Sequence, residues 1–369
     1  MDRQFGKRQW SVNGRFLSRD PTGVDRYAFE ILKAMDSLIT EGHPLARGLQ
    51  IELLCPAGGV NSSPFQTIPL RLLPKAPGHV WEQCILPMYV RGGLVSLCNT
   101  GPLAIERQIV CIHDVNTRLA PASYSAAFRT IYRILEPALG RRAQQITTVS
   151  RFSKDMLKQF GVVSGRKITV IYDGHEHVFR WDASKSAMRD LDLRRPYVLA
   201  VGSKALHKNL EIVYSAAIDL AAKDIQVFMT GGHNFDVFAR GLEFVVPPNV
   251  RHLGRVNDDD LAFLYGHALC LVFPSKTEGF GLPAAEAMAL GCPVISSDAA
   301  SLPEVCGSAA IYAKPDAPES WVDGICKLAN SASLRKQLIG AGRERVKMFS
   351  WRAGAAKYLE LMYAIDSQS

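Results

Sequence analysis

Short apolar runs alternate along this chain with longer stretches in which apolar positions recur every three or four residues. The short runs predict strands at 51–55, 94–98, 108–112, 145–149, 168–171, 197–201, 226–230, 250–253, 268–273, 293–296 and 310–313. Many are β-branched, apolar on both faces and bounded by Gly, Pro or Ser, the pattern of parallel strands covered on both sides. The periodic stretches predict helices over 23–39, 123–139, 151–160, 209–222, 258–266, 283–290, 318–329 and 333–346. Strand and helix in alternation predict α/β architecture with parallel sheets. The alternation lapses at 180–192, which is polar, and resumes with a strand at Tyr197. A domain boundary is therefore expected near 178–195, between two Rossmann-like halves whose ligands bind at the carboxyl ends of strands.

Composition narrows this. The 369 residues are 47% apolar and 21% charged, enough for two buried cores and too apolar for disorder. No apolar run approaches the ~20 residues that span a bilayer. The first residues carry charges with no apolar stretch behind them, unlike a secretory signal. None of the eight cysteines forms a C-x-x-C pair, so they read as buried reduced thiols in a cytoplasmic protein, and no zinc cluster is expected. The net charge of +8 is uneven: residues 1–185 hold 24 Lys and Arg against 15 Asp and Glu, while residues 186–369 hold 19 against 20. A basic half suggests an anionic partner. Without a basic–aromatic motif, nucleic acid is not that partner.

The most informative segment is Pro274-Ser275-Lys276-Thr277-Glu278-Gly279-Phe280-Gly281-Leu282-Pro283, followed by a helix containing Glu286 and closed by Gly291-Cys292-Pro293. It reads as strand, glycine loop, helix and strand. Gly279 and Gly281 let backbone N–H groups come close to a ligand, and the helix start favours an anion. An ionised carboxylate only accepts hydrogen bonds, so Glu278 and Glu286 suit sugar or ribose hydroxyls rather than phosphate. A second strand end, Val201-Gly202-Ser203-Lys204-Ala205-Leu206-His207-Lys208, brings cations to a helix start, where they would neutralise a diphosphate leaving group.

Glu278 and Glu286, with their Phe-Pro-Ser and Gly-Phe-Gly-Leu-Pro flanks and the Ser301-Leu302-Pro303-Glu304-Val305 segment, resemble the E-x7-E signature of retaining glycosyltransferases of family 4, the glycosyl transferases group 1, in their bacterial polysaccharide mannosyltransferase-like branch. The resemblance runs from about Asn13 to about Met362 and implies the GT-B fold: two Rossmann-like domains with parallel sheets facing across a cleft. It implies an acceptor domain at 1–178, a nucleotide-sugar domain at 179–351 and a last helix, 352–369, packing back on the first domain. Glu278 is implied to contact the donor sugar, Glu286 the ribose, and Gly279, Phe280, Gly281 and Leu282 the sugar and diphosphate. Gly23, Gly202, Ser203, Lys204, Lys208 and Val256 join the donor side. Where the family commonly carries Arg-Lys, this chain has His207-Lys208, so the second cation is Lys204 or His207.

His113, at the end of the 108–112 strand, is implied to lie beside the transferred sugar and counts with Glu278 and Lys208 as catalytic. Trp81, Asn99 and Asp114 are expected on the acceptor side, with packing an equal alternative for Trp81. Asp258-Asp259-Asp260 formally reads D-x-D, but acids opening a helix cap it. Tyr172-Asp173-Gly174-His175-Glu176-His177 reads as a structural turn before the interdomain linker, not a metal site. The expected activity is retaining transfer of a hexose, first of all mannose from GDP-mannose, to a lipid-linked oligosaccharide, with no cofactor and no metal. The place is the cytoplasmic face of the plasma membrane, met through the basic first domain. The competing reading is a GT-B sugar-nucleotide enzyme that is not a transferase, such as an epimerase.

Overall fold

The computed structural model describes residues 8–164, 168–203, 205–232 and 246–368. The chain divides into two units. One comprises 1–118, 126–174 and 349–369; the other comprises 119–125 and 175–348. The division thus falls at Gly174, four residues before the expected 178, and the chain returns to the first unit at Phe349.

Among the described residues the first unit holds a seven-stranded sheet: β1 (Arg8–Asn13), β2 (Leu49–Pro56), β3 (Leu70–Leu73), β4 (Gly93–Ser96), β5 (Gln108–Cys111), β6 (Gln145–Thr148) and β7 (Ile168–Val170), in the order β3-β2-β1-β4-β5-β6-β7. The second unit holds a six-stranded sheet: β8 (Tyr197–Val201), β9 (Gln226–Thr230), β10 (Val250–Gly254), β11 (Cys270–Phe273), β12 (Val294–Ser297) and β13 (Ala310–Ala313), in the order β10-β9-β8-β11-β12-β13. Every neighbouring pair is parallel. Both sheets are doubly wound. The order reverses between β1 and β4 in one and between β8 and β11 in the other, and these crevices are where such sheets bind ligands.

Two strands escaped the hydrophobic pattern. β1 reads Arg-Gln-Trp-Ser-Val-Asn, yet it is central, and its Ser11 and Asn13 are buried. Their polarity is absorbed locally. Ser11 Oγ accepts from the Arg91 amide at 3.2 Å, and Asn13 Nδ2 donates to Glu82 at 2.7 Å. β3 is a short edge strand at the other end of the sheet from β7.

The predicted helices form, at Gly23–Thr40, Ala126–Arg142, Arg151–Gln159, Glu211–Ala221, Asp258–His267, Leu282–Ala289, Pro318–Asn330, Ala332–Val346 and Trp351–Asp366. The one predicted from 123 begins at Ala126, after a separate short turn at Pro121–Ser123. Pro137 sits inside this helix and has no N–H to offer the Arg133 carbonyl. The Arg118 guanidinium reaches that carbonyl instead, at 3.5 Å, and also pairs with Glu136 at 3.5 Å.

The Trp351–Asp366 helix packs on the first unit. Gly354 lies so close to Ile31 that a Cβ would meet its side chain at 2.8 Å. Tyr358 shares its hydroxyl with Tyr27 at 3.1 Å and Thr147 at 2.7 Å. At its end, the Asp366 carboxylate takes hydrogen bonds from Arg8 at 2.5 Å and Trp10 at 2.9 Å and pairs with Arg107. Removing that carboxylate would leave Arg8 buried and unpaired, a loss of about 3–5 kcal/mol. Asp366→Ala should therefore lower the melting temperature by many degrees in a thermal melt; a shift of a degree or less would show that the pair does not hold this helix.

Candidate functional site

The second sheet's reversal point brings together the two segments singled out in the sequence. The loop after β8 ends in a short turn, Leu206–Lys208, and then Asn209 in the left-handed region at φ 55°. The loop after β11 runs from Pro274 to Gly281. Asn209 joins them: its side-chain amide donates to the carbonyls of Pro274 at 3.2 Å and Pro315 at 2.7 Å. The Lys276 amide donates to the His207 carbonyl at 2.8 Å. So fixed, Lys208 Nζ lies 2.7 Å from Glu278 Oε1, with side chains 22% and 10% exposed.

The glycine loop is held from behind. Ser301 Oγ donates to the carbonyls of Glu278 at 3.0 Å and Phe280 at 2.9 Å, and Ser297 Oγ donates to the Ser275 carbonyl at 2.5 Å. Gly281 caps the helix at φ +107°, where a Cβ would strike Leu302 at 2.6 Å, so a glycine is required. Phe280 and Leu282 are buried side chains; what they have to offer a ligand is backbone. One helical turn on, Glu286 is buried, with Oε1 2.9 Å from His177 Nε2 and Oε2 3.4 Å from the Tyr265 hydroxyl.

Gly202 bonds the Thr230 carbonyl at 3.0 Å, Ser203 is exposed, and Val256 is half-buried just beyond β10. Lys204 lies outside the described residues. His207, the other candidate for the second cation, is buried. Burial, then the neighbouring Lys208, drives its pKa down to about 4, so the ring is neutral at physiological pH, and its Nδ1 lies 3.0 Å from Ser123 Oγ.

In the first unit, Gly23 opens its helix behind the Thr22–Asp25 capping box, and a Cβ there would meet nothing within 4 Å. Packing does not demand a glycine there. Asn99 stands at φ 66° and accepts from the His113 amide at 2.8 Å. The His113 ring is buried: Nε2 is 2.8 Å from the Leu97 carbonyl, and Tyr27 meets it edge-on at 4.8 Å. Asp114 accepts from the Asn116 amide at 2.8 Å. Trp81 takes the packing role, the second of its two expected ones. It is 1% exposed among Leu54, Leu73, Leu86 and Leu94, so it fills the core and lines no acceptor surface.

The glycosyl transferases group 1 family model matches residues 184–345. The O-antigen chain mannosyltransferase RfbU of Salmonella typhimurium is 30% identical over 235 residues, 62% of this chain and 62% of that protein. The O-antigen chain mannosyltransferase B of Escherichia coli is 30% identical over 262 residues, 68% of each. This chain belongs to the glycosyl transferases group 1. It spans 62% and 68% of the length of those two curated relatives. The sucrose-phosphate synthase of Thermosynechococcus elongatus has the same fold, with a TM-score of 0.77 at 18% identity over 98% of this chain and 100% of that one. The two parallel α/β sheets are those of the GT-B fold.

Several residues that shape this glycosyl transferase's sites were not legible. His177 sits in a segment read as a plain turn, yet it is fully buried and orients Glu286. No local signal joins residues 109 apart. Asp260 does cap its helix, through Asn257, and also accepts from Ser186 at 2.8 Å and the Ala187 amide at 2.8 Å. Among the described residues, no group of three or more His, Cys, Asp or Glu is placed to hold a metal.

Beside Trp81, the next two residues organise the first sheet's reversal point. Glu82, buried, accepts from Asn13 at 2.7 Å and sits 3.3 Å from His79 and 3.6 Å from Arg15. Burial alone would raise its pKa; His79, Arg15, Thr100 and Asn13 together hold it below the usual glutamate value. Arg15 in turn reaches Thr100 at 3.1 Å, and the Gln83 amide spans Gly101 and Leu103.

Two outcomes follow from these geometries. With Glu286 on the ribose, as the family resemblance implies, His177→Leu should weaken nucleotide binding about tenfold, the worth of a hydrogen bond to a charged group, whereas His177→Gln keeps most of it; titration with GDP and UDP reads this, and equal affinity in all three proteins would unseat the role. Burial pushes the Glu136 carboxyl up to about 8, with Arg118 opposing and Asp114 adding. The folded state then holds a proton that the unfolded chain releases above its ordinary 4.5, so stability falls as pH rises from there through about 8. The melting-temperature gain of Glu136→Gln over the native protein should therefore widen between pH 5 and pH 8; a constant gap would contradict the shift.

Proposed function

We propose that this glycosyl transferase moves a hexose from a nucleotide-sugar to a saccharide acceptor with retention of anomeric configuration. The observation that carries the reading is the Lys208–Glu278 pair, set at 2.7 Å on two loops at the sheet's reversal point, with Glu286 one turn into the following helix. Glu278 is spoken for on Oε1 and has lone pairs left for donor-sugar hydroxyls. Glu286, steadied by His177 and Tyr265, has the same chemistry for ribose hydroxyls. The diphosphate meets the helix start and the amides of Gly279, Phe280, Gly281 and Leu282, while Lys208 turns from the carboxylate to the phosphate.

In this reading the bond from the anomeric carbon to the diphosphate oxygen breaks, and the acceptor oxygen attaches on the same face. The acceptor proton passes to the leaving diphosphate. Lys208 and the helix amides carry the charge, and no metal or cofactor takes part. His113 keeps the place beside the sugar that the family resemblance implies. The donor is GDP-mannose and the acceptor a lipid-linked oligosaccharide of bacterial polysaccharide synthesis; support comes from two relatives named as O-antigen chain mannosyltransferases. Among the described residues no helix is long and apolar enough to cross a membrane. We place the protein on the cytoplasmic face, where the basic first half is drawn to anionic lipid.

The test is a transfer assay with radiolabelled GDP-mannose, UDP-glucose and UDP-N-acetylglucosamine on membrane-derived lipid acceptors. The native protein should transfer from GDP-mannose. Glu278→Ala should lose transfer by a factor of about a hundred or more with its circular dichroism unchanged. Full transfer by a folded Glu278→Ala protein would sink the assignment, and interconversion of the donor without any acceptor would favour an epimerase.

A further inference from the structure

A second charged locus lies wholly within the first unit and plays no part in the reaction above. The Arg151–Gln159 helix, edge strand β7 and the Trp351–Asp366 helix enclose a surface concavity of about 620 Å³. Its lining includes Arg151, Lys154, Lys158 and Lys357 against one carboxylate, Asp155. The first three fall at i, i+3 and i+7, which puts them on one stripe of the helix.

Like charges so spaced repel, and a folded protein ordinarily relieves that with acids on the next stripe or on a neighbouring element. Here the two lysines of the stripe lack that relief. Lys357 pairs with Glu360 at 2.6 Å, but among the described residues Lys154 and Lys158 form no ion pair, and Asp155 lies within 4.0 Å of no cation. The opposite side of the helix is committed to the core through Leu157, with Met156 packed against it, so the stripe cannot turn inward. The ammonium groups of Lys154 and Lys158, beside Ile168 and Val170 in the same concave lining, suit a multiply charged, oxygen-rich anion.

We propose that this groove binds a phosphate-bearing anion, either a free phosphorylated small molecule or the headgroup of an anionic lipid. Lysines beside an edge strand also serve as a guard against strand pairing between molecules. A guard requires only charge, so it predicts no saturable ligand and no loss specific to these positions.

The experiment uses the full chain carrying Lys208→Ala, which removes the donor loop's cation from the comparison. To it are added Lys154→Glu with Lys158→Glu, or, as a control with the same change in net charge, Lys33→Glu with Lys223→Glu at exposed sites. One arm titrates inorganic pyrophosphate, read by calorimetry and thermal shift. The other sediments the protein with phosphatidylcholine vesicles containing about one-third phosphatidylglycerol, against pure phosphatidylcholine. The groove substitutions should weaken binding roughly tenfold or more in at least one arm while the control keeps it. Loss confined to pyrophosphate marks a soluble ligand; loss confined to the charged vesicles marks a headgroup. Absence of binding in both arms, or equal loss in groove and control proteins, overturns the proposal. The vesicle arm rests on the attraction to anionic lipid proposed above and the pyrophosphate arm does not; neither measures glycosyl transfer, so failure here and failure of the transfer reading are distinguishable.

Discussion

The second unit's site depends on one electrostatic arrangement: a lysine and a glutamate from loops leaving two adjacent strands, held in contact where the strand order reverses. A partly exposed pair of this kind contributes little to stability, about 0–1 kcal/mol. The scaffold around it is far more elaborate than that return would justify. Asn209 in a left-handed turn, a glycine that tolerates no Cβ, and two serines reaching back to loop carbonyls all serve to bring these two side chains together. What such a scaffold supplies is preorganisation. In the proposed reaction both charges are held at the reversal point before the donor arrives, and the turn of Lys208 from carboxylate to phosphate is the one rearrangement left.

The first unit solves the corresponding problem with buried rather than exposed polarity. Glu82 is taken out of water, and hydrogen bonds with His79, Thr100 and Asn13, together with the nearby Arg15 charge, hold its pKa below the usual glutamate value; these four come from three separate stretches of chain. A network of this sort is worth more than its pairwise parts only when every member is satisfied. It ties the end of β1 to the loop after β4, and so shapes that reversal point. Trp81 is the hydrophobic anchor of the same turn. Adjacent residues thus divide the labour: the indole fixes the turn in the core, and the carboxylate arranges the loops above it.

How far the sequence foretold this depends on the range of the interaction. Strand–loop–helix order, the donor loop and the helix starting near Leu282 are local, so periodicity and turn chemistry reveal them. β1 was invisible because its buried Ser11 and Asn13 break the apolar pattern, and what makes their burial tolerable lies 80 and 69 residues away. His177 was set aside for the same reason: its partner Glu286 is local to nothing in its own turn. His207 shows the converse. Its place in the motif was legible, but its charge state was not, since burial and the Lys208 ammonium are facts of the folded chain.

The helix that completes the first unit has a temporal consequence. On a ribosome the chain emerges from its amino end, and domains tend to fold as they appear. Here Arg8, Trp10 and Arg107 wait for Asp366, which is synthesised only after the whole of 175–348. The unit that begins first is therefore finished last. During that interval the surface of Tyr27 and Ile31 that the final helix covers stays open to water, and to chaperones.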